Sequence, residues 1–392
     1  MTPEKRKFDV VLAGGGALGS ATAYFVKQLA PSASVAVVEP DSTYEFASTP
    51  RSAGGCRVQF SCVENIELSK FSIDFIRSFA DHMSIGASRP DVSWVQGGYL
   101  LLVPPESTAI LESNVRQQNA LGCDVQLLTP AELRHRFPSM HVEDLGAGAH
   151  SLTDGWCDPN AVLWGFRKKA ASLGASFVQG RVTSMICDAV KVKAVVLGDG
   201  TELYADHVVN TAGAWSGQIA AMAGMNLPIV PMKRYEHFFT CATSMEPLPL
   251  VKDLARLAFR PEGKGFSGGL VDGKARRGFN FEMDHDYWDQ VVWPAVAHRF
   301  PPLEAARHHR SWAGLYEQCE LDGNAIIGAW NNGLANLYTA AGFSGHGVMH
   351  APGVGRAIAE LILEGSYQTL DLTRLGYERV ELNEPYREKG IL

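Results

Sequence analysis

The stretch Phe8-Asp-Val-Val-Leu-Ala-Gly14-Gly-Gly16-Ala-Leu-Gly19, continuing through an apolar helical pattern to Val35-Ala-Val-Val-Glu39, decides the fold. The run Val10 to Ala13 is apolar throughout, as a parallel strand buried on both faces requires. Gly14, Gly16 and Gly19 then stand at the G-x-G-x-x-G spacing and open a helix. Such glycines allow a tight turn, close approach of backbone to a pyrophosphate, and close packing of helix on strand. The helix start offers unpaired N–H groups and a positive dipole end to the phosphates. A second strand, Val35 to Val38, ends in Glu39, about 20 residues past the glycines, where an acid accepts bonds from ribose hydroxyls. Glu39 would also repel a 2′-phosphate. The pattern predicts a dinucleotide site and leaves open which dinucleotide.

Composition narrows the setting. A chain of 392 residues suits two lobes better than one core. A net charge of -7 gives no reason to expect nucleic acid or an anionic membrane as partner. No apolar run approaches the ~20 residues of a membrane span. The basic run Lys5-Arg6-Lys7 reads as a solvated lead-in to the first strand, with no room before it for a targeting segment, so a cytoplasmic protein is expected. Seven cysteines lack a C-x-x-C pair and read mostly as buried small hydrophobes in a reducing compartment. His346 and His350 are four apart without the glutamate of a zinc helix, so no metal is expected.

Further along, Thr129-Pro-Ala-Glu132 and Asp158-Pro159 place a capping residue before a helix-starting proline. Gly198-Asp-Gly200 predicts a hairpin. Val208 to Gly213 is a buried strand running into glycine and a helix. Ile229 to Thr243 and Leu257 to Phe281 read as antiparallel strands of a second lobe, and Tyr287 to Phe300 as a helix stopped by Pro301-Pro302. Leu337 to Ala340, the turn Gly342-Phe-Ser-Gly-His-Gly347 and a long helix to Leu363 repeat the strand-glycine-helix design. The expectation is an α/β (α+β two-lobe) chain: a discontinuous Rossmann-like domain over 7–90, 145–225 and 310–375, with an antiparallel-sheet substrate domain over 91–144 and 226–309. Two further glycine turns aimed at the nucleotide lobe favour FAD over NAD, because a flavin ring needs backbone along its edges.

Ala340-Ala-Gly-Phe-Ser-Gly-His-Gly347, followed by Pro352-Gly-Val-Gly355, resembles the closing signature of the D-amino-acid-oxidase-type (DAO) flavoprotein superfamily, which includes the sarcosine and glycine oxidases. Asn210-Thr-Ala-Gly-Ala-Trp-Ser216 is similar to its central flavin motif. Within it, four stretches resemble the group of the human FAD-dependent oxidoreductase domain-containing protein 1: Ala53 to Ser61 with Glu64 to Ser69, Asp154-Gly-Trp156, Met283 to Pro294, and Ser311 to Tyr316. The resemblance covers the whole chain. It implies FAD and oxidation of a C–N bond next to a carboxylate, on a small amine or amino acid, with oxygen or another electron acceptor. It also implies roles by position. Gly14, Gly16, Ala17, Leu18 and Glu39 would hold the ADP half, and Ser52, Ala53, Gly54 and Gly55 would follow the pyrophosphate and ring. Val182 would offer backbone to adenine, and Ala212, Gly213 and Trp215 would flank the cofactor. Gly345, His346, Gly347, Val348 and Met349 would complete the ring site.

Three departures from the sarcosine oxidases follow from the same alignment. The cysteine that binds flavin covalently there falls on Gly314 here, with Cys319 out of register, so non-covalent FAD is expected. The lysine that meets the substrate carboxylate falls on Met349 and an arginine near Phe60, with Arg57 aligned to another arginine of that segment, which leaves Arg57, Arg234 and Lys233 as candidate cations. The lysine that activates oxygen falls on Ser267, with Lys264 three residues earlier, which opens a dehydrogenase reading. Tyr316 aligns with a substrate-lining tyrosine, His346 either polarises substrate or packs, and no dedicated general base is evident. The rival expectations are a flavin-binding assembly factor, a role the resemblance associates with respiratory complex I, and a 2-hydroxy-acid dehydrogenase.

Overall fold

The opening apolar run forms the strand Lys5–Ala13, whose last four residues are buried. A computed structural model describes residues 5–253, 257–270 and 277–390. In its first sheet the order is Ile326–Ala329, Leu337–Ala341, Glu202–Asn210, Lys5–Ala13, Val35–Glu39 and Ser176–Gln179. The last five run parallel. The antiparallel strands Val182–Cys187 and Val192–Leu197 extend it, the latter joined to Glu202–Asn210 by the expected glycine turn. Lys5 to Lys7 belong to the strand rather than leading into it, opposite Glu202 to Tyr204, with Lys5 Nζ 3.4 Å from the Glu202 carboxylate.

The helices Ala17–Leu29 and Gly347–Glu364 cover this sheet together. They cross so closely that a Cβ on Gly355 would stand 2.9 Å from the Ala21 Cβ. Thr129 and Glu132 form a full capping box, and the Asp158 side chain caps the helix Pro159–Ser172, as the sequence predicts.

The second sheet runs Arg307–Cys319, Ile229–Thr240, Gly265–Leu270, Leu257–Glu262, Leu250–Lys252, Tyr99–Val103, Ala147–Ser151 and Val125–Leu128. All its pairs are antiparallel except Leu250–Lys252 with Tyr99–Val103. Sheet pairing thus continues to Ser151 and Cys319, past the expected crossings at 145 and 310. Hydrophobic alternation marks a strand but not the sheet it joins. Residues 271–276, read from sequence as part of a strand region, lie outside the described residues. The expected helix from Tyr287 begins as a π turn, Trp288–Val292, before Trp293–Arg299.

Arg299 anchors the second lobe. Its guanidinium is 1% exposed and lies 2.8 Å from Asp144 and 3.0 Å from the equally buried Asp253. Arg299→Met should cost about 3–5 kcal/mol in denaturant unfolding, because it leaves Asp253 charged and buried. Asp253→Asn added to that variant should recover part of the loss. Asp144 also meets His141 and His298, a convergence of three metal-type ligands. Arg299 already engages both Asp144 oxygens, which opposes a cation there.

Candidate functional site: a cavity joining three glycine turns

A continuous cavity of about 1200 Å³ lies between the two sheets and reaches all three glycine turns. The first turn divides its glycines by purpose. Gly14 has a φ of 109°, and a Cβ there would stand 2.4 Å from the Thr211 carbonyl oxygen. A Cβ on Gly19 would lie 1.9 Å from the Gly14 oxygen. Both are glycine because the protein packs against them. Gly16 has an ordinary φ of -61°, and the nearest atom to a Cβ there is Thr49 Oγ1 at 3.8 Å. It faces open cavity, at the start of a helix whose N-cap makes no side-chain bond. Glu39 closes this end: Oε2 accepts from Gly15 N at 2.9 Å and Oε1 from Asp41 N at 3.1 Å. Burial raises its pKa, and those two N–H groups oppose the rise.

At the last turn, Gly342 N donates to Glu317 Oε2 at 3.0 Å, so one buried carboxyl shapes the glycine loop. Burial pushes Glu317 up to about 7. Tyr316 lies against Gly345, whose φ is 107° and whose Cβ would meet the ring at 2.7 Å. The helix Gly347–Glu364 starts from His346 without a side-chain cap, with Gly345 to Met349 lining the cavity. Its positive end is therefore available to negative charge there.

Arg57 is 1% exposed yet lines the same cavity. Its guanidinium donates to the Gln59 carbonyl, lies 3.2 Å from His346 Nε2, and sits 4.2 Å over the Phe60 ring. A guanidinium only donates, so His346 accepts at Nε2 and carries its proton on Nδ1. Burial, then the adjacent Arg57, holds the His346 pKa well below its ordinary value. His350, bonded to Ser69 at 2.9 Å, is pushed down to about 3 by burial and Arg57. Among the described residues no carboxylate pairs with Arg57. Arg234 stacks 4.9 Å over the Tyr316 ring. Burial raises the Tyr316 pKa, while Arg234, Glu236 and Arg57 are all near enough to influence it.

The family model described as FAD dependent oxidoreductase (DAO) matches residues 9–361. The chain belongs to the DAO family of FAD-dependent oxidoreductases. It is 37% identical to the bovine FAD-dependent oxidoreductase domain-containing protein 1, over 100% of this chain and 88% of that one. It is 27% identical to the sarcosine oxidase subunit beta of Rhizobium meliloti, over 93% and 86% of the two chains. Among solved structures, L-proline dehydrogenase from P. horikoshii superposes with a TM-score of 0.86 at 28% identity, covering 98% of this chain and all of that one.

The residues present fit this family's FAD. The cavity holds a helix start beside Gly16 whose N-cap makes no side-chain bond, though Ala17 N reaches Thr49 Oγ1 at 3.4 Å, an acid at the end of the second strand, and a second helix start at Gly347. Gly14, Gly16, Ala17, Leu18, Glu39, Ser52, Ala53, Gly55 and Val182 line it, as do Ala212, Gly213, Trp215, Gly314, Gly345, His346, Gly347, Val348 and Met349. Arg57, Arg234 and Tyr316 line it too. Gly19 and Gly54 do not: a Cβ on Gly54 would meet the Cys157 oxygen at 2.1 Å, so its role is packing. Lys233 is corrected as a cavity cation, since its Nζ turns away to the Glu282 carbonyl at 2.9 Å. Lys264 lies exposed in the hairpin outside the cavity.

Sequence reasoning missed Lys252 and Glu236, both on the cavity wall. Glu236 Oε1 accepts from Ser267 Oγ at 2.9 Å, and burial pushes the carboxyl up to about 7. All seven cysteines are free thiols, and none lines the described cavity; Cys319 is buried beside Asp322. No helix of the described residues is long and apolar enough to cross a membrane.

Proposed function

We propose that the chain oxidises the C–N bond of a small amino acid or N-alkyl amino acid, giving an imine that hydrolyses. The observation that carries this reading is Arg57, a buried cavity-facing cation without a carboxylate partner among the described residues. A buried guanidinium of this kind is completed by a ligand carboxylate, bound through its planar fork. The likeness to a proline dehydrogenase and to a sarcosine oxidase subunit supports the same substrate class.

When bound, FAD supplies the acceptor for the hydride that leaves the carbon beside nitrogen. The chain's own residues do the rest. Arg57 fixes the carboxylate, and His346 Nε2 orients Arg57 rather than exchanging protons, because burial and Arg57 keep it neutral. Tyr316, Arg234 and Met349 wall the substrate side. Gly14, Gly16, Ala17, Leu18 and Glu39 would hold the ADP half, and Gly345 to Met349 would border the ring.

Anaerobic mixing of the FAD-loaded protein with a panel of amino acids and 2-hydroxy acids tests this reading. At least one amino acid should bleach the flavin within seconds to minutes. If dithionite bleaches it and no member of the panel does, an assembly role is the better account. Repeating the active pair in air separates oxygen from another acceptor.

Gly314 at the attachment position, and the absence of any cysteine from the described cavity wall, favour a dissociable cofactor. Acid precipitation should leave all the flavin in the supernatant; yellow protein in the pellet would refute it.

A further inference from the structure

Glu236 lines the cavity. Its strand, Ile229–Thr240, alternates, so Arg234 and Glu236 share the face opposite Gly314 and Trp312 of the neighbouring strand. Oε1 is committed to Ser267, and among the described residues no lysine or arginine lies within ion-pairing distance of the carboxylate. Arg260, the cation nearest in influence, is occupied by the Ala53 carbonyl at 2.6 Å and by Glu262. A half-buried carboxylate without a counter-ion is costly unless it takes up a proton or meets a cationic ligand. Arg57 shows the opposite vacancy on the same cavity, and both groups act on Tyr316 between them in charge.

On the amine-oxidation reading, and resting on it, we propose that Glu236, steadied by Ser267, binds the substrate's protonated amine through Oε2 and takes one proton from it. The N–H bond breaks and the Glu236 O–H bond forms, while the electron pair stays on nitrogen. That pair is the one that becomes the C=N bond when the hydride leaves the neighbouring carbon. Arg57 for the carboxylate and Glu236 for the nitrogen select a zwitterion. A 2-hydroxy acid brings no positive charge to Glu236 and gains nothing from it. Burial raises the Glu236 carboxyl, Ser267 on Gly265–Leu270 and Arg260 on Leu257–Glu262 oppose the rise, and Glu262 adds to it, while Arg234 on its own strand and Tyr316 on Arg307–Cys319 share the cavity wall. Because the carboxyl is raised to about 7, its anionic form, and with it amine affinity, grows as pH rises through that value.

Anaerobic titration calorimetry on the FAD-loaded protein reduced beforehand with dithionite, which can accept no further hydride, reads binding of L-proline and sarcosine against glycolate without turnover. Wild type should bind an amino acid more tightly above about pH 7 than below it. Glu236→Gln should bind it at least ~10-fold more weakly, a loss of about 1.4 kcal/mol, and without that pH step, while glycolate affinity stays level. Glu236→Asp should keep the step, and Ser267→Ala should move it upward by removing a bond to the carboxylate. Wild-type affinity and pH dependence in Glu236→Gln, or no amino-acid binding by wild type, overturns the proposal. Failure of every amino acid to bleach the flavin overturns amine oxidation separately, since calorimetry needs no bleaching.

Discussion

Gly16→Val is expected to yield a folded protein that has lost its flavin. A valine at this position meets no protein obstacle: φ is -61° and the nearest atom to its Cβ is a threonine hydroxyl 3.8 Å away. Replacing glycine also restricts the unfolded chain, so apoprotein stability should hold within about 1 kcal/mol of wild type. The isopropyl group, however, projects where a pyrophosphate must approach the helix N-terminus. FAD affinity should fall by at least ~100-fold, equivalent to about 2.7 kcal/mol. The measurement is flavin absorbance per protein after exhaustive dialysis, with unfolding of the apoprotein as the control. Gly14→Ala makes the contrast. There the new Cβ collides with the Thr211 carbonyl and the residue is held at φ 109°, so stability and flavin should fall together. Stoichiometric FAD in Gly16→Val would remove the reason for a glycine at 16.

The nucleotide lobe was legible because its constraints are local. A strand, a glycine turn and a helix follow one another in a few residues, and each glycine or acid has a fixed offset from the next. The same holds for the turn Gly342 to Gly347, and for the capping residues Thr129 and Asp158. The wall of the second lobe was not legible in the same way. The strand Ile229–Thr240 alternates, but period two does not tell which face meets a cavity. Lys233 and Arg234 therefore carried equal weight in sequence, and Glu236 carried none. Lys252 was out of reach for a different reason: its short strand joins Tyr99–Val103 across some 150 residues, and no pattern in either segment announces the pairing. Arg57 was reached only as one of three cations. Its distinction is burial beside His346, a contact across 289 residues.

Arg57→Gln is expected to abolish recognition of a substrate carboxylate while sparing the fold of the cavity. Truncating one side of a buried, hydrogen-bonded charge pair costs about 2–5 kcal/mol, so carboxylate-bearing substrates should bind roughly 30-fold to several thousand-fold more weakly. The glutamine retains a donor for the Gln59 carbonyl, one of the bonds the guanidinium makes now. Arg57→Lys should fall between, since a lysine brings charge without the fork. A comparison of ligands separates recognition from mere support. If Arg57 binds the carboxylate, the variant and wild type should bind an amine lacking that group equally well. Equal losses for both ligands would make Arg57 a prop for the Phe60 ring and the glycine turn instead. The histidines supply an independent readout. Arg57 is the nearest charge holding His346 and His350 neutral, so its removal should raise both pKa values, observable by NMR titration of the imidazoles. His346 would then become able to protonate nearer neutral pH, and the remaining affinity for an anion in Arg57→Gln should strengthen as pH falls. In wild type the permanent guanidinium makes anion recognition insensitive to that change, leaving the pH dependence of the site to the raised carboxyls Glu236 and Glu317, which Glu236→Gln separates.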